Sequence, residues 1–226
     1  MIVTVAALLC AQVGALGADN SLQAVYDRMD QASTRFKGLK ADMKKVTHTD
    51  ILNENSEDLG TIAVRVDKPH NFQVLIDFKQ PDAKTLSLAG TKLQVYYPKS
   101  NTVQELDLGK GHKAMVESFV LLGFGSNSKD IESAYTVRLL GAETVTGQKT
   151  EHLELIPKAK EVSEKFPKFE LWISDQSGIA VQQKMYETGG KDYSVATYSN
   201  MQVGPVSDAD VKLNLPKNVT RERPQR

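Results

Sequence analysis

The chain has 226 residues, of which 40% are hydrophobic and 25% are charged. This composition is typical of a soluble globular protein, and the length is sufficient for one all-β unit with a buried core. Lys plus Arg and Asp plus Glu are equal, at 28 each. The sequence therefore lacks the basic excess of nucleic-acid-binding proteins, and we expect no nucleic-acid partner.

Residues 2–18 carry no charge. This apolar run is shorter than the roughly 20 residues that a membrane-spanning helix needs. It ends in Ala15-Leu16-Gly17, which has the small-x-small form that signal peptidases accept. We therefore predict that residues 1–17 are a cleavable signal peptide and that residues 18–226 form one exported domain.

Cys10 is the only cysteine of the chain. Leu9 precedes it, whereas a bacterial lipoprotein signal has a small residue at that position. A membrane-anchored receptor with a lipid on Cys10 is therefore disfavoured. The predicted mature chain contains no cysteine, so we expect neither a disulfide nor a thiolate metal site.

The first predicted element is an amphipathic helix. Ser21 is a suitable N-cap, and apolar residues recur after it at helical spacing: Leu22, Val25, Met29, Ala32 and Phe36. From residue 39 onward, short strands separated by turns replace this pattern. We predict strands at residues 39–49, 59–66, 72–78, 86–88, 93–97, 102–108, 136–144, 150–156, 169–174, 179–186, 193–201 and 211–215.

A strongly apolar segment, residues 113–124, interrupts the series of strands. Its composition predicts a short buried helix that ends at Gly125, and Ser128 is expected to cap a second short helix. Antiparallel strands in such number usually close into barrels or form sandwiches. We therefore predict a curved antiparallel sheet with the mid-chain helices on its concave face.

No pattern in the sequence indicates catalysis. The four histidines, His48, His70, His112 and His152, are scattered, whereas metal ligands usually recur at short spacings. There is no Gly-x-Ser-x-Gly motif. An enzyme acting on a lipid-like substrate would lack a nucleophile, a base and a metal cluster, so we predict a protein that is not an enzyme and has no cofactor.

The most specific pattern lies between residues 64 and 98. A strand ends at Lys68-Pro69, and the aromatic Phe72 follows three positions after the proline. The further landmarks are Pro81-Asp82, Gly90-Thr91-Lys92-Leu93, Tyr96-Tyr97-Pro98, Leu155-Ile156-Pro157-Lys158 and Leu213-Asn214-Leu215-Pro216. In order and spacing this pattern resembles the outer-membrane lipoprotein carrier (LolA) family over residues 21–219.

The resemblance implies an unclosed antiparallel β-barrel, or half-barrel, with a helical lid over an apolar cavity. It also implies a monomeric periplasmic carrier that shields the acyl chains of lipoproteins between the inner and the outer membrane. Its partners would be an inner-membrane ATP-driven transporter, which delivers the lipoprotein, and an outer-membrane receptor, which accepts it. Because each methylene exposed to water costs about 0.8 kcal/mol, such a carrier needs a dry cavity.

On this resemblance Lys68, where the family usually has arginine, donates hydrogen bonds to the lid, and Phe72 lies at the cavity mouth. Phe72 lies on a predicted strand in which apolar and polar residues alternate, so it is also compatible with a buried position in the core. Arg65 and Gln94 stand where the family often has tryptophan. The predicted ligand-binding residues are Lys68, Phe72, Val74, Ile76, Met115, Phe119 and Leu122. The pattern leaves open whether residues 113–124 are a mobile lid or fixed core.

Two other functions remain open. A periplasmic sensor on the same half-barrel would detect stray lipid and regulate a membrane-bound partner. Such proteins usually append a second domain, whereas this chain ends soon after the predicted barrel. The protein is also compatible with a carrier of a different lipid. A carrier of lipoproteins and a carrier of a different lipid both need an apolar cavity. We predict that this cavity has a volume of roughly 300–1,000 Å³ and binds a fatty-acid probe.

Overall fold

The computed structural model describes residues 21–68, 71–109 and 122–223. Twelve strands are present in these ranges: β1 Gly38–Thr49, β2 Glu54–Lys68, β3 Asn71–Gln80, β4 Lys84–Ala89, β5 Lys92–Tyr97, β6 Thr102–Asp107, β7 Tyr135–Val145, β8 Gln148–Pro157, β9 Phe169–Ser174, β10 Ala180–Tyr186, β11 Tyr193–Val203 and β12 Thr220–Glu222. The α-helices that lie wholly in the same ranges are α1 Leu22–Arg35, α2 Ser128–Ala134, α3 Lys160–Ser163 and α4 Asp208–Val211, and single-turn 3-10 helices span Asp50–Leu52 and Pro98–Ser100.

All twelve strands belong to one sheet, in the order β12-β6-β5-β4-β3-β2-β1-β11-β10-β9-β8-β7. Neighbouring strands are antiparallel except for β12, which pairs parallel to β6 over three residues. The edge strands β7 and β12 do not pair with each other, so the sheet is not closed. The half-barrel predicted from the sequence is confirmed.

One face of the sheet carries the hydrophobic core. We call it the inner face. Residues directly opposite each other on neighbouring strands point to the same side of a sheet, and β1, β2 and β3 place buried apolar residues there at every second position: Leu39, Ala41, Met43, Ile62, Val64, Phe72, Val74 and Phe78. These residues form one cluster with the buried residues of α1.

Helix α1 begins where the sequence predicts. The Ser21 hydroxyl accepts a hydrogen bond from the Ala24 backbone N–H at 3.2 Å, which satisfies one of the free N–H groups of the first turn. The helix buries Val25, Tyr26 and Met29. Phe36, directly after the helix, has extended backbone and a buried side chain. Within the described ranges, no helix has the length and apolar character needed to span a membrane.

The strand predicted at residues 211–215 is wrong. Ser207 and Asp210 form a capping box that starts α4, so Val211 is the last residue of a helix. The segment that follows alternates between half-buried and exposed positions, as the spacing of Leu213 and Leu215 predicts, but it pairs with no strand of the described residues. The last strand of the described chain is β12, further along, against β6.

The mid-chain helix is only partly within the described residues. Residues 113–121 lie outside them, whereas residues 122–125 form turns and not the helix end that the sequence predicts. Gly123 and Gly125 both have positive φ, of 80° and 72°, which is incompatible with a right-handed helix. The next helix, α2, is capped by Asn127, one residue before the predicted cap at Ser128.

Candidate functional site: an apolar cavity on the inner face

An apolar cavity of about 230 Å³ lies between the inner face and residues 122–125, which we call the 122–125 turn. It is smaller than the cavity predicted from the sequence. Strands β1–β4 line one side of it, and β9–β11 line the other. The apolar lining residues are Met43, Ile62, Ile76, Phe78, Leu86, Leu122, Phe124, Phe169, Leu171, Met185, Ala196 and Tyr198.

A chain of two side-chain hydrogen bonds holds the 122–125 turn against the sheet. The Gln183 amide donates to the Leu122 carbonyl, and the Tyr198 hydroxyl donates to Gln183 Oε1 at 3.0 Å. Complete burial raises the pKa of the Tyr198 hydroxyl far above its ordinary value, so this group stays protonated and remains a donor. The 122–125 turn is therefore fixed by neutral polar contacts that do not change at physiological pH.

The 122–125 turn also packs closely against Ala180 and Tyr198. The Ala180 N–H donates to the Gly123 carbonyl at 2.9 Å. A Cβ atom on Gly123 would lie 2.5 Å from the Ala180 Cβ atom, so only glycine fits this approach. Phe124, 1% exposed, packs edge-on against Tyr198 with 4.9 Å between the ring centroids. Leu122 and Phe124 thus close the cavity as parts of the core.

Charged residues lie at one end of the cavity. Lys45 is half-buried, lines the cavity and stands directly opposite Asp58 in the β1–β2 register. The Lys84 ammonium contacts both carboxylate oxygens of Asp58, at 3.0 and 3.1 Å. The same ammonium lies 5.0 Å from the centroid of the Phe78 ring, which lines the cavity. We call Lys45, Asp58 and Lys84 the charged rim.

The predicted ligand-binding residues fall into three groups. Ile76 and Leu122 line the cavity. Phe72 and Val74 are 2% and 3% exposed in the core cluster and are not among the residues that line this cavity. Met115 and Phe119 lie outside the described residues. Contact of these residues with a ligand stays a prediction.

Lys68 is the last residue of β2, and its backbone pairs with Asn71 of β3. Its side chain lies outside the described atoms. The proposed hydrogen bond from Lys68 to a lid therefore stays a prediction.

The second side of the cavity was not predicted as part of the site. Phe169, Leu171 and Met185 belong to strands that the sequence predicts, but their alternation does not say which strands they face. They approach β2 and β3 only because β1 pairs with the distant β11. This non-local pairing has no short-range sequence signal.

The outer face carries a polar network around the single tryptophan. Glu143 accepts hydrogen bonds from the Trp172 indole N–H and from His152 Nδ1, each at 2.8 Å. The His152 ring stacks on Trp172 with 4.1 Å between centroids, and His152 Nε2 lies 3.4 Å from Glu170. The Trp172 hydrogen bond, more than that from His152, keeps the pKa of Glu143 below its ordinary value, although burial opposes this. In the three described ranges, no group of three or more His, Cys, Asp or Glu residues is placed to hold a metal ion.

The chain forms an open antiparallel half-barrel around an apolar cavity, which is the fold that the resemblance found in the sequence implies. A family model described as "-like: Uncharacterized protein" matches residues 71–209, more than half of the chain, and the chain belongs to this family. A comparison with curated protein sequences finds no match.

Solved structures of low sequence identity have a similar fold. An uncharacterized conserved protein from Thermus thermophilus is 14% identical, with a TM-score of 0.55, and the match covers 89% of this chain and 98% of that one. In the MucA/MucB complex of Pseudomonas aeruginosa, the matched chain is 14% identical, with a TM-score of 0.51 and coverages of 84% and 60%. A structure of MucB alone gives 12% identity, a TM-score of 0.53 and coverages of 88% and 64%. The chain thus spans less than two thirds of the MucB chains.

Proposed function

We propose that this protein is a carrier that shields the acyl chain of a lipid or lipoprotein from water. The observation that supports the proposal is the apolar cavity of about 230 Å³ on the inner face of the half-barrel. Burial of each methylene of an acyl chain contributes about 0.8 kcal/mol, so even part of one chain would bind favourably. The cavity lies below the usual size of ligand sites, so we propose that the 122–125 turn moves away from the sheet when more of the chain is loaded.

In the fuller form of this proposal, the protein acts in the periplasm after removal of residues 1–17. It receives lipoproteins from an ATP-driven transporter of the inner membrane and delivers them to a receptor in the outer membrane. The resemblance of residues 64–98 to the LolA family supports this route. Solvent-exposed transfer would be costly because every methylene of the cargo would contact water.

A titration with a fluorescent fatty-acid probe tests the carrier function. The probe should give a saturable signal with the purified protein, and Ala196→Phe should abolish it because Ala196 lines the cavity. Val195→Phe is the matched control, since the neighbouring residue of β11 points to the outer face. Thermal melts check that both variants fold. Equal binding by wild type and a folded Ala196→Phe variant would contradict the proposal.

A sensor of lipid is the second candidate, and the similarity to the MucB chain in complex with MucA favours it. A carrier must release its ligand, whereas a sensor only needs to respond to it. Transfer of a fluorescent acylated peptide from donor to acceptor vesicles separates the two functions. A rate that rises with protein concentration supports the carrier, and saturable binding without transfer supports the sensor.

A further inference from the structure

The charged rim beside the cavity has more positive than negative charge. Lys45 and Lys84 contribute two ammonium groups, and Asp58 contributes one carboxylate. Asp58 already accepts two hydrogen bonds from Lys84, at 3.0 and 3.1 Å. Within the described part of the chain, Lys45 has no ion pair or hydrogen bond, and it lines the cavity. An ammonium group is thus available at the end of an apolar cavity.

Lys184 is also among the residues that line the cavity, but its ammonium lies on the outer face of the sheet. Lys184 stands opposite Glu170 in the sheet, and its nitrogen lies over the rings of Tyr186 and Tyr193, at 4.5 and 3.9 Å. Tyr186 donates a hydrogen bond to Glu170 at 3.1 Å, so this group of residues lies on the outer face. Among the described lining residues, Lys45 is therefore the lysine on the inner face, opposite Ala196 and Asp58 in the sheet.

From this arrangement we infer that the cavity binds an amphiphile whose acyl chain lies among the apolar residues and whose anionic head group pairs with Lys45. The inference rests on the proposed function and specifies its ligand class. The head group is a carboxylate or a phosphate, since either accepts charge-assisted hydrogen bonds from an ammonium. A ligand with an uncharged head group would leave Lys45 unpaired.

The half-buried position of Lys45 makes the pairing favourable. Water solvates a half-buried ammonium less well than an exposed one, and salt screens its interactions less. The Phe78 ring lies between Lys84 and the cavity, so the methylene next to the head group would contact an apolar surface. The head group of the ligand would thus contact Lys45, and its chain would contact Phe78 and the other apolar residues of the cavity.

Competition among compounds with the same chain tests this inference. Dodecanoate, dodecyl phosphate and dodecanol displace a neutral fluorescent acyl probe from the full-length protein. The two anions should do so at about tenfold lower concentration than dodecanol, the usual effect of one hydrogen bond to a charged group. The ranking of the two anions identifies the head group, and inorganic phosphate alone should displace nothing.

Substitutions in the charged rim test whether Lys45 causes the preference for the anionic compounds over dodecanol. Lys45→Gln should remove the tenfold preference, whereas Lys45→Arg should keep it. Lys44→Gln is the matched control, because Lys44 is on the same strand, is exposed and pairs with Glu57. Asp58→Asn should strengthen the preference by releasing Lys84.

The outcomes that contradict the head-group inference differ from the outcome that contradicts the proposed function. If wild type binds dodecanol and dodecanoate equally, acyl binding stands and the head-group inference is overturned. If the preference persists in folded Lys45→Gln, Lys45 is not the anion site and the inference is also overturned. If no dodecyl compound displaces the probe and the probe itself does not bind, the proposed function fails together with the inference.

Discussion

The side chain of Phe72 is 2% exposed and packs in the cluster that contains Val64 and Val74. We therefore expect Phe72→Ala to lower the free energy of unfolding by about 3–5 kcal/mol, the usual cost of deleting a buried aromatic ring. Urea denaturation measures this change. Gln73→Ala, one residue along the same strand, should change stability by less than about 0.5 kcal/mol. A stable Phe72→Ala variant that no longer binds an acyl probe would instead place Phe72 at the cavity mouth.

Glu143 links pH to stability through Trp172. Because the folded-state pKa of Glu143 lies below its ordinary value, its contribution is fully present above roughly pH 4.3 and is lost as the pH falls through the lower folded value. As the pH falls from about 4.3 through the folded-state pKa of Glu143, the free energy of unfolding should therefore decrease less for Glu143→Gln than for wild type. Urea unfolding followed by the fluorescence of Trp172, the only tryptophan, measures the difference. Identical pH profiles of the two proteins would contradict a lowered folded-state pKa of Glu143.

Among the elements, the 122–125 turn depends on Gln183 of β10. Gln183→Leu removes the donor to the Leu122 carbonyl and the acceptor of the Tyr198 hydroxyl. Buried groups left without partners cost about 1–3 kcal/mol, so the turn should open more often. Hydrogen exchange at the Ala180 amide, which donates to Gly123, should accelerate.

Gln182→Leu is the control for this prediction. Gln182 neighbours Gln183 but accepts a hydrogen bond from Thr197 on the outer face. Exchange at Ala180 should stay slow in this variant. Acceleration in both variants would mean that β10 as a whole, and not the contact with the turn, limits exchange.

Local sequence patterns predict elements whose partners are near in the chain. The cap at Ser21 and the alternation from Phe72 to Phe78 predict α1 and β3 because each pattern reflects one buried face. The strand predicted at residues 211–215 is wrong because alternation reports burial on one side and not hydrogen bonding to a neighbour. Leu213 and Leu215 are half-buried as expected, yet a helical turn with a capping box at Ser207 precedes them, and the segment pairs with none of the strands in the described ranges.

At the scale of the molecule, the pairing of β1 with β11 creates the cavity. It brings Lys45 opposite Ala196, which is distant in the sequence, and so joins the two sides of the site. The resemblance to the LolA family predicts the half-barrel as a whole. Ile76 and Leu122 line the cavity, and their contact with a ligand stays a prediction. Phe169, Met185 and Tyr198 could not be predicted as lining residues because their role depends on this long-range pairing.

Methionine methyl groups report directly on whether an acyl chain occupies the cavity. Met43 and Met185 line it from opposite sides, whereas Met29 and Met201 do not. In protein labelled with ¹³C at the methionine methyl groups and loaded with dodecanoate, we expect nuclear Overhauser contacts from the chain methylenes to Met43 and Met185. Met29 and Met201 should give none. Contacts confined to Met201, or no contacts at saturating dodecanoate, would contradict the proposal that this cavity carries acyl chains.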